Sequence, residues 1–131
     1  MPAAESYPDD LRYHREHDWA RVEGDTATFG VTWYAQDALG DLVVYLPPEV
    51  GAEVGAGSEY GELESVKAVS GIVAPCSGTV TEVNQAVIEA PELVNDDPYG
   101  QGWLIRVQLS DLAELEDLLD ASDYATHVAG L

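Results

Sequence analysis

The segment Glu64-Ser65-Val66-Lys67-Ala68-Val69-Ser70 contains the single lysine of this chain of 131 residues. Lysine is among the commonest residues of soluble domains, where it supplies surface charge at many positions. The arginines are Arg12, Arg15, Arg21 and Arg106. With so few arginines, replacement of lysine by arginine does not explain why one lysine is retained, and Lys67 is the position to explain first.

The residues on both sides of Lys67 predict two strands joined by a turn. The apolar positions before it are Tyr60, Leu63 and Val66, and those after it are Val69, Ile72 and Val73. A turn between two strands fixes the root of a side chain and leaves its end accessible to another protein.

The neighbours of Lys67 favour a substrate role over a catalytic one. A Schiff-base lysine needs an apolar pocket or a nearby cation that favours the free amine. The nearest charges in sequence are Glu62 and Glu64, which favour the ammonium instead. We therefore interpret Lys67 as a residue that another enzyme acylates, and a surface salt bridge with Glu64 is the alternative.

The first half of the chain predicts a hairpin, a short helix and a strand. Two strands, one holding Trp19 and Val22 and the other at 26–32, are joined by a turn with Gly24. Thr32 is a candidate N-cap for a helix over 33–39 that Gly40 ends. A strand over 41–46 follows and stops at Pro47-Pro48, which cannot donate to a ladder.

The second half predicts further strands and helices at the periphery. Strands are expected over 79–83, with a bulge, and over 103–109, with a single helical turn over 90–95 between them. We expect Ser110 to cap a helix whose leucines pack on the sheet, and Ser122 to cap a last short helix over 121–128. Those leucines are Leu112, Leu115, Leu118 and Leu119. The predicted class is mostly β with peripheral helices.

The charge of the chain limits the classes of partner it can bind, and its cysteine content excludes an internal disulfide. Twenty-five acidic against five basic residues give a net charge of −20, which opposes binding to nucleic acid or to anionic membranes. Partners with basic surfaces are favoured, and a saline cytoplasm is another explanation of the acidity. Cys76 stands alone, so no internal disulfide can form, and we interpret it as a small turn residue.

The chain length predicts one domain, with a flexible segment over 1–11 and a single carrier-sized domain over 12–131. Residues 1–10 lack the features of a secretion signal or a mitochondrial leader, so we expect a cytoplasmic, prokaryotic protein. A monomer is expected.

Several segments in the right order resemble one known family. They are Glu64-Ser65-Val66-Lys67-Ala68, the segment 35–41, the segment 93–100 and Gly102-Trp103. From Tyr13 to Tyr124 the chain resembles the H protein of the glycine cleavage system. The resemblance implies a barrel-sandwich hybrid fold like that of lipoyl and biotinyl carriers, with short peripheral helices including a C-terminal helical segment.

The resemblance also implies a function. Lys67 would carry lipoic acid in amide linkage, and Glu64, Ser65, Val66 and Ala68 would complete the lipoylation motif. The chain would carry an aminomethyl group from glycine decarboxylase (P protein) to aminomethyltransferase (T protein). Dihydrolipoamide dehydrogenase (L protein) would then reoxidise the lipoyl group. A lipoate-attaching enzyme is a fourth implied partner.

Two further positions bear on how the arm is held in this family. The segment His17-Asp18-Trp19 stands where the family has His-Glu-Trp, so His17 and Asp18 are candidates for holding the loaded arm. The family usually has an Asp four residues after the lysine, and here that residue is Gly71.

Other chemistries find less support. His14 and His17 lack a third metal ligand at a recognised spacing, and no segment suggests an independent enzymatic activity. Val66-Lys67-Ala68 matches neither a biotin domain nor the lipoyl domain of a 2-oxo acid dehydrogenase. A lipoyl relay between other proteins, or an unmodified binding or regulatory module, stays open at this point.

Overall fold

Residues 3–131, the part of the chain that the computed structural model describes, form nine strands, four α-helices and one 3₁₀ helix. The strands are β1 (Arg12–His14), β2 (Asp18–Glu23), β3 (Thr26–Val31), β4 (Leu42–Leu46), β5 (Glu53–Val54), β6 (Glu59–Ser65), β7 (Val69–Val73), β8 (Gly78–Val83) and β9 (Ile105–Leu109). The helices are α1 (Trp33–Leu39), α2 (Gln85–Glu89), α3 (Leu93–Asp96) and α4 (Ala121–Ala129), and the 3₁₀ helix is Leu112–Asp117.

The strands form two antiparallel sheets. One has six strands in the order β1-β2-β3-β9-β8-β5, and the other has three in the order β4-β6-β7. The mostly β class with short helices at the periphery, predicted from the sequence, is confirmed. The smaller sheet contains both strands that flank Lys67.

The main core is a cluster of buried apolar side chains drawn from both sheets. Its largest fully buried members are Phe29, Leu63, Ile72, Val80, Val87, Val94, Leu104, Ile105 and Val107. Strand β9 shows why: Ile105, Val107 and Leu109 are buried, while Arg106 and Gln108 alternate with them on the exposed face. Strand β9 pairs with β3 on one side and β8 on the other, so it is the central strand that the sequence predicts.

The predicted helix after Thr32 is confirmed with both of its ends. The Thr32 hydroxyl accepts a hydrogen bond from the Ala35 N–H at 3.3 Å, which satisfies a donor of the first turn. Gly40 ends α1 with φ of +86°, and its N–H donates to the Gln36 carbonyl at 3.0 Å. A positive φ favours glycine, so Gly40 allows the chain to leave α1 directly into β4.

The two predicted caps in the C-terminal region are wrong. Asp111, not Ser110, accepts from the Ala113 N–H, and Asp120, not Ser122, accepts from the Asp123 N–H at 2.8 Å. An aspartate at either position offers both a side-chain acceptor and a negative charge to the start of a helix.

The prediction that four leucines of one helix pack on the sheet is also only partly correct. The residues form a 3₁₀ helix, in which side chains do not follow the spacing of an α-helix. Leu112 is half exposed, whereas Leu115 and Leu118 pack on the main core. Leu119 packs on a second cluster that fixes α4, and in that cluster the Tyr13 and Tyr124 rings stack at 4.7 Å.

Helix α2 was not predicted, although Asn84 caps it by accepting from the Ala86 N–H at 3.1 Å. Its five residues are too few to show a helical period. No helix in the range 3–131 is long and apolar enough to span a bilayer.

The segment predicted to be flexible includes residues 1 and 2, which lie outside the described residues. Its next residues contact the domain: the Ala3 N–H donates to the Asn95 carbonyl at 3.0 Å, and the Tyr99 hydroxyl donates to the Ser6 carbonyl at 2.6 Å. Leu11 is buried. The mobility of this segment stays a prediction.

Candidate functional site

Lys67 lies at the tip of the hairpin formed by β6 and β7, as the sequence predicts. The last pair of the ladder is Glu64 with Val69, and the Ser65 N–H donates to the Ala68 carbonyl at 2.8 Å. The Ser65 hydroxyl oxygen accepts from the Lys67 N–H at 3.2 Å and from the Ala68 N–H at 3.0 Å. Ser65 therefore holds the backbone of the turn that presents Lys67.

The side chain of Lys67 is exposed, and its ammonium has no hydrogen-bond or ion-pair partner within residues 3–131. The salt bridge with Glu64, which the sequence left open, is not formed. The stem passes over the end of α1, where the Lys67 Cε lies 3.3 Å from the place a Cβ would take on Gly40. The absence of a side chain on Gly40 leaves room for this stem.

Exposed valines surround the lysine. Val66 and Val69 flank it in the hairpin, and Val43 lies on the adjacent strand β4, where Leu42 pairs with Ser65. All three valines are at least half exposed. They give the hairpin tip an apolar surface on a protein whose net charge is −20.

A cavity of about 350 Å³ lies between α1 and the smaller sheet. Its lining residues are Tyr34, Ala35, Ala38 and Leu39 of α1, Ser70, Gly71 and Val73 of β7, Glu59 of β6, and Glu16 and His17 before β2. Leu39 and Ser70 belong to the end of the cavity nearest Lys67 in the chain, and His17 belongs to the far end. We call this space the α1–β7 cleft.

His17 lines the cleft in a constrained position. It has a φ of +75°, which is rare outside glycine, and its ring lies 4.5 Å from the ring of Tyr34. Its Nδ1 is 2.8 Å from the Tyr124 hydroxyl. Burial and the neighbouring His127 lower the pKa of His17, so the imidazole is neutral at neutral pH.

Asp18 is placed differently. Its side chain is buried beneath β7, where the Val73 N–H donates to its carboxyl group. The Oδ2 atom has no hydrogen-bond partner among the described residues, and burial raises the pKa of Asp18 well above its usual range. The structure thus brings His17 to the cleft and puts Asp18 behind the wall that Val73 forms.

The sequence did not point to Glu59, Glu16, Tyr34 or Leu39 as site residues. They come from separate segments and meet only when α1 covers β7 and β6 pairs with β7. Gly71 was the one available signal, since it removes a side chain from the middle of the cleft.

Cys76 lies outside this site. It is buried in the main core between β7 and β8, and burial raises the pKa of its thiol to about 12. Within residues 3–131 no group of three or more His, Cys, Asp or Glu side chains is arranged to hold a metal ion.

Comparisons with known proteins agree with this geometry. The model of the glycine cleavage H-protein family matches residues 11–130. A glycine cleavage system H protein of Rubrobacter xylanophilus is 57% identical over 118 residues, which cover 90% of this chain and 91% of that protein. A probable glycine cleavage system H protein of Haloarcula marismortui is 50% identical over 121 residues, covering 92% and 95%. The crystal structure of a glycine cleavage system H protein from Mycobacterium marinum superposes with a TM-score of 0.82 at 42% identity, covering 95% of this chain and 99% of that chain.

Proposed function

This chain belongs to the glycine cleavage H-protein family, and we propose that it is the lipoylated carrier of the glycine cleavage system. The main support for this proposal is Lys67. It is the only lysine of the chain, it is exposed at a hairpin tip, and its ammonium has no hydrogen-bond or ion-pair partner within residues 3–131. A residue placed in this way is open to acylation by an enzyme that supplies its own base.

The residues around Lys67 fit lipoic acid in amide linkage. Acylation removes the positive charge of the ammonium, and no ion pair to a described carboxylate is lost with it. When bound, the group supplies a dithiol that is oxidised and reduced reversibly and that holds a one-carbon unit. Ser65 fixes the turn, while Glu64, Val66 and Ala68 offer the recognisable surface of the motif to the lipoate-attaching enzyme.

In the proposed cycle this chain is a shared substrate and not an enzyme. It takes the aminomethyl group from glycine decarboxylase, presents it to aminomethyltransferase, and is reoxidised by dihydrolipoamide dehydrogenase. A hairpin tip suits three successive partners because the sheet fixes the root of the arm while the long side chain stays mobile. The exposed valines beside Lys67 give each partner an apolar contact.

Between visits, the α1–β7 cleft shelters the end of the arm. Gly71 lies on β7, four residues after Lys67 in the chain, a separation of at most about 13 Å at about 3.3 Å per residue. About a dozen bonds of about 1.5 Å separate the lysine Cα from the sulfur atoms of an amide-linked lipoyl group, so the arm reaches Gly71. His17 would contact the sheltered group directly, and Asp18 would support the wall of the cleft from behind Val73.

Reconstitution tests the function. The lipoylated protein is mixed with glycine, tetrahydrofolate, NAD⁺ as the electron acceptor of the L protein, and the P, T and L proteins, and ammonia release is measured. We expect release to depend on this chain and to saturate with it, and Lys67→Arg to abolish it while keeping the same melting temperature. Release at the same rate without the chain, or with the arginine variant, would contradict the proposal and favour a relay or regulatory role.

A further inference from the structure

The α1–β7 cleft is negatively charged. Its two acidic side chains are Glu16 and Glu59, and no lysine or arginine is among its lining residues. His17, the remaining titratable group with a basic side chain there, is held neutral by its surroundings. Such a cleft attracts a cationic occupant and repels an anionic one.

Glu59 is turned into the middle of the cleft. It pairs with Val73, while Gly71 pairs with Glu62, so Glu59 lies further from the hairpin than Gly71 does. Its side chain nevertheless lies over Gly71, because a Cβ built on Gly71 would collide with the Glu59 carboxylate. Gly71 does not have a positive φ, so its backbone conformation does not require glycine. The Glu59 side chain occupies the space where a Gly71 side chain would lie and would have to turn away to admit one.

The carboxylate of Glu59 is available for a ligand. Within residues 3–131 it makes no hydrogen bond and no ion pair. The other walls of the cleft are apolar or aromatic where Tyr34, Leu39 and Val73 line it. Glu59 is itself exposed, so an ammonium would reach its carboxylate from solvent, directly above Gly71.

We propose that Glu59 binds the primary ammonium of the aminomethyl group that this chain carries, at the position above Gly71. The assignment rests on the proposed function, and it names the side chain that holds the cationic end of the loaded arm. Glu16, at the exposed rim of the cleft, adds negative charge without lying over Gly71.

Release of the sheltered group to water provides the test. The thioaminal reacts with one water molecule: the carbon–sulfur and carbon–nitrogen bonds break, and the products are the thiol, formaldehyde and ammonium. Intact mass spectrometry of the loaded protein follows this loss with time. We expect Glu59→Gln to lose the group about five- to tenfold faster than the wild type, because a charge-assisted hydrogen bond is removed.

Glu23→Gln is the matched control. Glu23 is exposed at the opposite end of β2 from Asp18, about 17 Å away at about 3.4 Å per residue. The Glu23→Gln substitution removes the same charge without changing the cleft, so the lifetime of the loaded group should stay at the wild-type value. An equal acceleration in both variants would show a general charge effect and overturn the assignment.

Moving the carboxylate from Glu59 to position 71 distinguishes an effect on ammonium binding from an effect on folding. Glu59→Ala empties the space above Gly71, and Gly71→Asp in that background puts a carboxylate back from the other strand. We expect Glu59→Ala to shorten the lifetime as Glu59→Gln does, and the double variant to restore most of it. Failure of the double variant to slow the loss, with its melting temperature unchanged, would contradict the role of a carboxylate at this point.

Nuclear magnetic resonance gives a readout that needs no turnover. On loading, the Gly71 amide and the Glu59 carboxyl carbon should shift in the wild type, and the Gly71 shift should be lost in Glu59→Gln. If the wild type loads but the two Glu59 variants keep its lifetime and its Gly71 shift, the assignment is wrong and the carrier function stands. If the wild type cannot be lipoylated or loaded, the proposed function itself fails.

Discussion

Asp18 shows how one residue at this site is held at an energetic cost. Its carboxyl group is buried, one oxygen has no partner among residues 3–131, and burial raises its pKa above that of an unfolded aspartate. The folded state therefore binds more protons than the unfolded state once the pH exceeds about 3.8, the ordinary value. Stability falls as the pH rises from there through the folded-state pKa of Asp18.

Asp18→Asn should reverse this loss. The amide stays neutral at every pH, so the variant should be more stable than the wild type at neutral pH, on the order of 1–3 kcal/mol. The gain should shrink towards zero as the pH falls below about 3.8, because the wild-type carboxyl then becomes protonated in the unfolded as well as the folded state. Urea unfolding of both proteins across this range measures the difference. A gain in stability that is constant with pH would contradict the claim that ionisation of buried Asp18 destabilises the folded state.

Residue patterns predicted Lys67 as a modified position because its rarity and its neighbours are visible in the sequence. Glu59 was not predicted, since its role depends on a diagonal approach to Gly71 across two strands. His17 and Asp18 were reached only through resemblance, and their shared segment gives no sign that one faces the cleft and the other the interior.

At the scale of elements, the β6–β7 hairpin determines how Lys67 is presented. The Ser65 hydroxyl accepts from two backbone N–H groups of the turn, those of Lys67 and Ala68. A side-chain acceptor of this kind replaces backbone pairing where a ladder ends. This hydroxyl group therefore supports the tip together with the backbone hydrogen bond from the Ser65 N–H to the Ala68 carbonyl.

Ser65→Ala should slow lipoylation several-fold, because the turn loses its side-chain acceptor and the attaching enzyme meets a looser substrate. The cost to global stability should be about 0.5–1.5 kcal/mol, that of one hydrogen bond. Initial rates of lipoate attachment to the two proteins measure the effect, and Ser65→Thr, which keeps the hydroxyl, is the control. An alanine variant modified at the wild-type rate would show that the turn needs no such support.

Short sequence signals predicted most helices and strands, and the wrong predictions fall where no such signal is present in the nearby sequence. Thr32 with Gly40, and the alternation of β9, are complete within a few residues, so α1 and β9 follow from the sequence. The segment 112–117 places leucines at helical spacing but folds as a 3₁₀ helix. Glu114 contributes there by accepting from the Ser77 N–H at 2.8 Å and from its hydroxyl at 2.9 Å, a contact between distant segments that no local pattern reveals.

For the whole molecule, charge is the dominant property. A net charge of −20 on a 14.1 kDa chain produces self-repulsion that the folded state must withstand. The described ion pairs do little to offset it: Arg106 pairs with Glu82, and both side chains are about half exposed.

Salt should stabilise this protein. Raising sodium chloride from about 0.01 M to about 1 M shortens the Debye length from about 30 Å to about 3 Å and screens the repulsion. We expect a gain of about 1 kcal/mol, or about 4 °C in melting temperature. Glu89→Gln, Glu92→Gln and Glu116→Gln in one variant should weaken the dependence. A melting temperature that is flat or falls with salt would contradict this expectation.

Intact mass spectrometry of the protein isolated from its own host measures directly whether Lys67 is lipoylated. We expect the native protein to be heavier than its sequence by one lipoyl group, fragmentation to place the group on Lys67, and the Lys67→Arg variant to lack it. A native pool whose mass equals that of the unmodified sequence would show that Lys67 is not a lipoylation site.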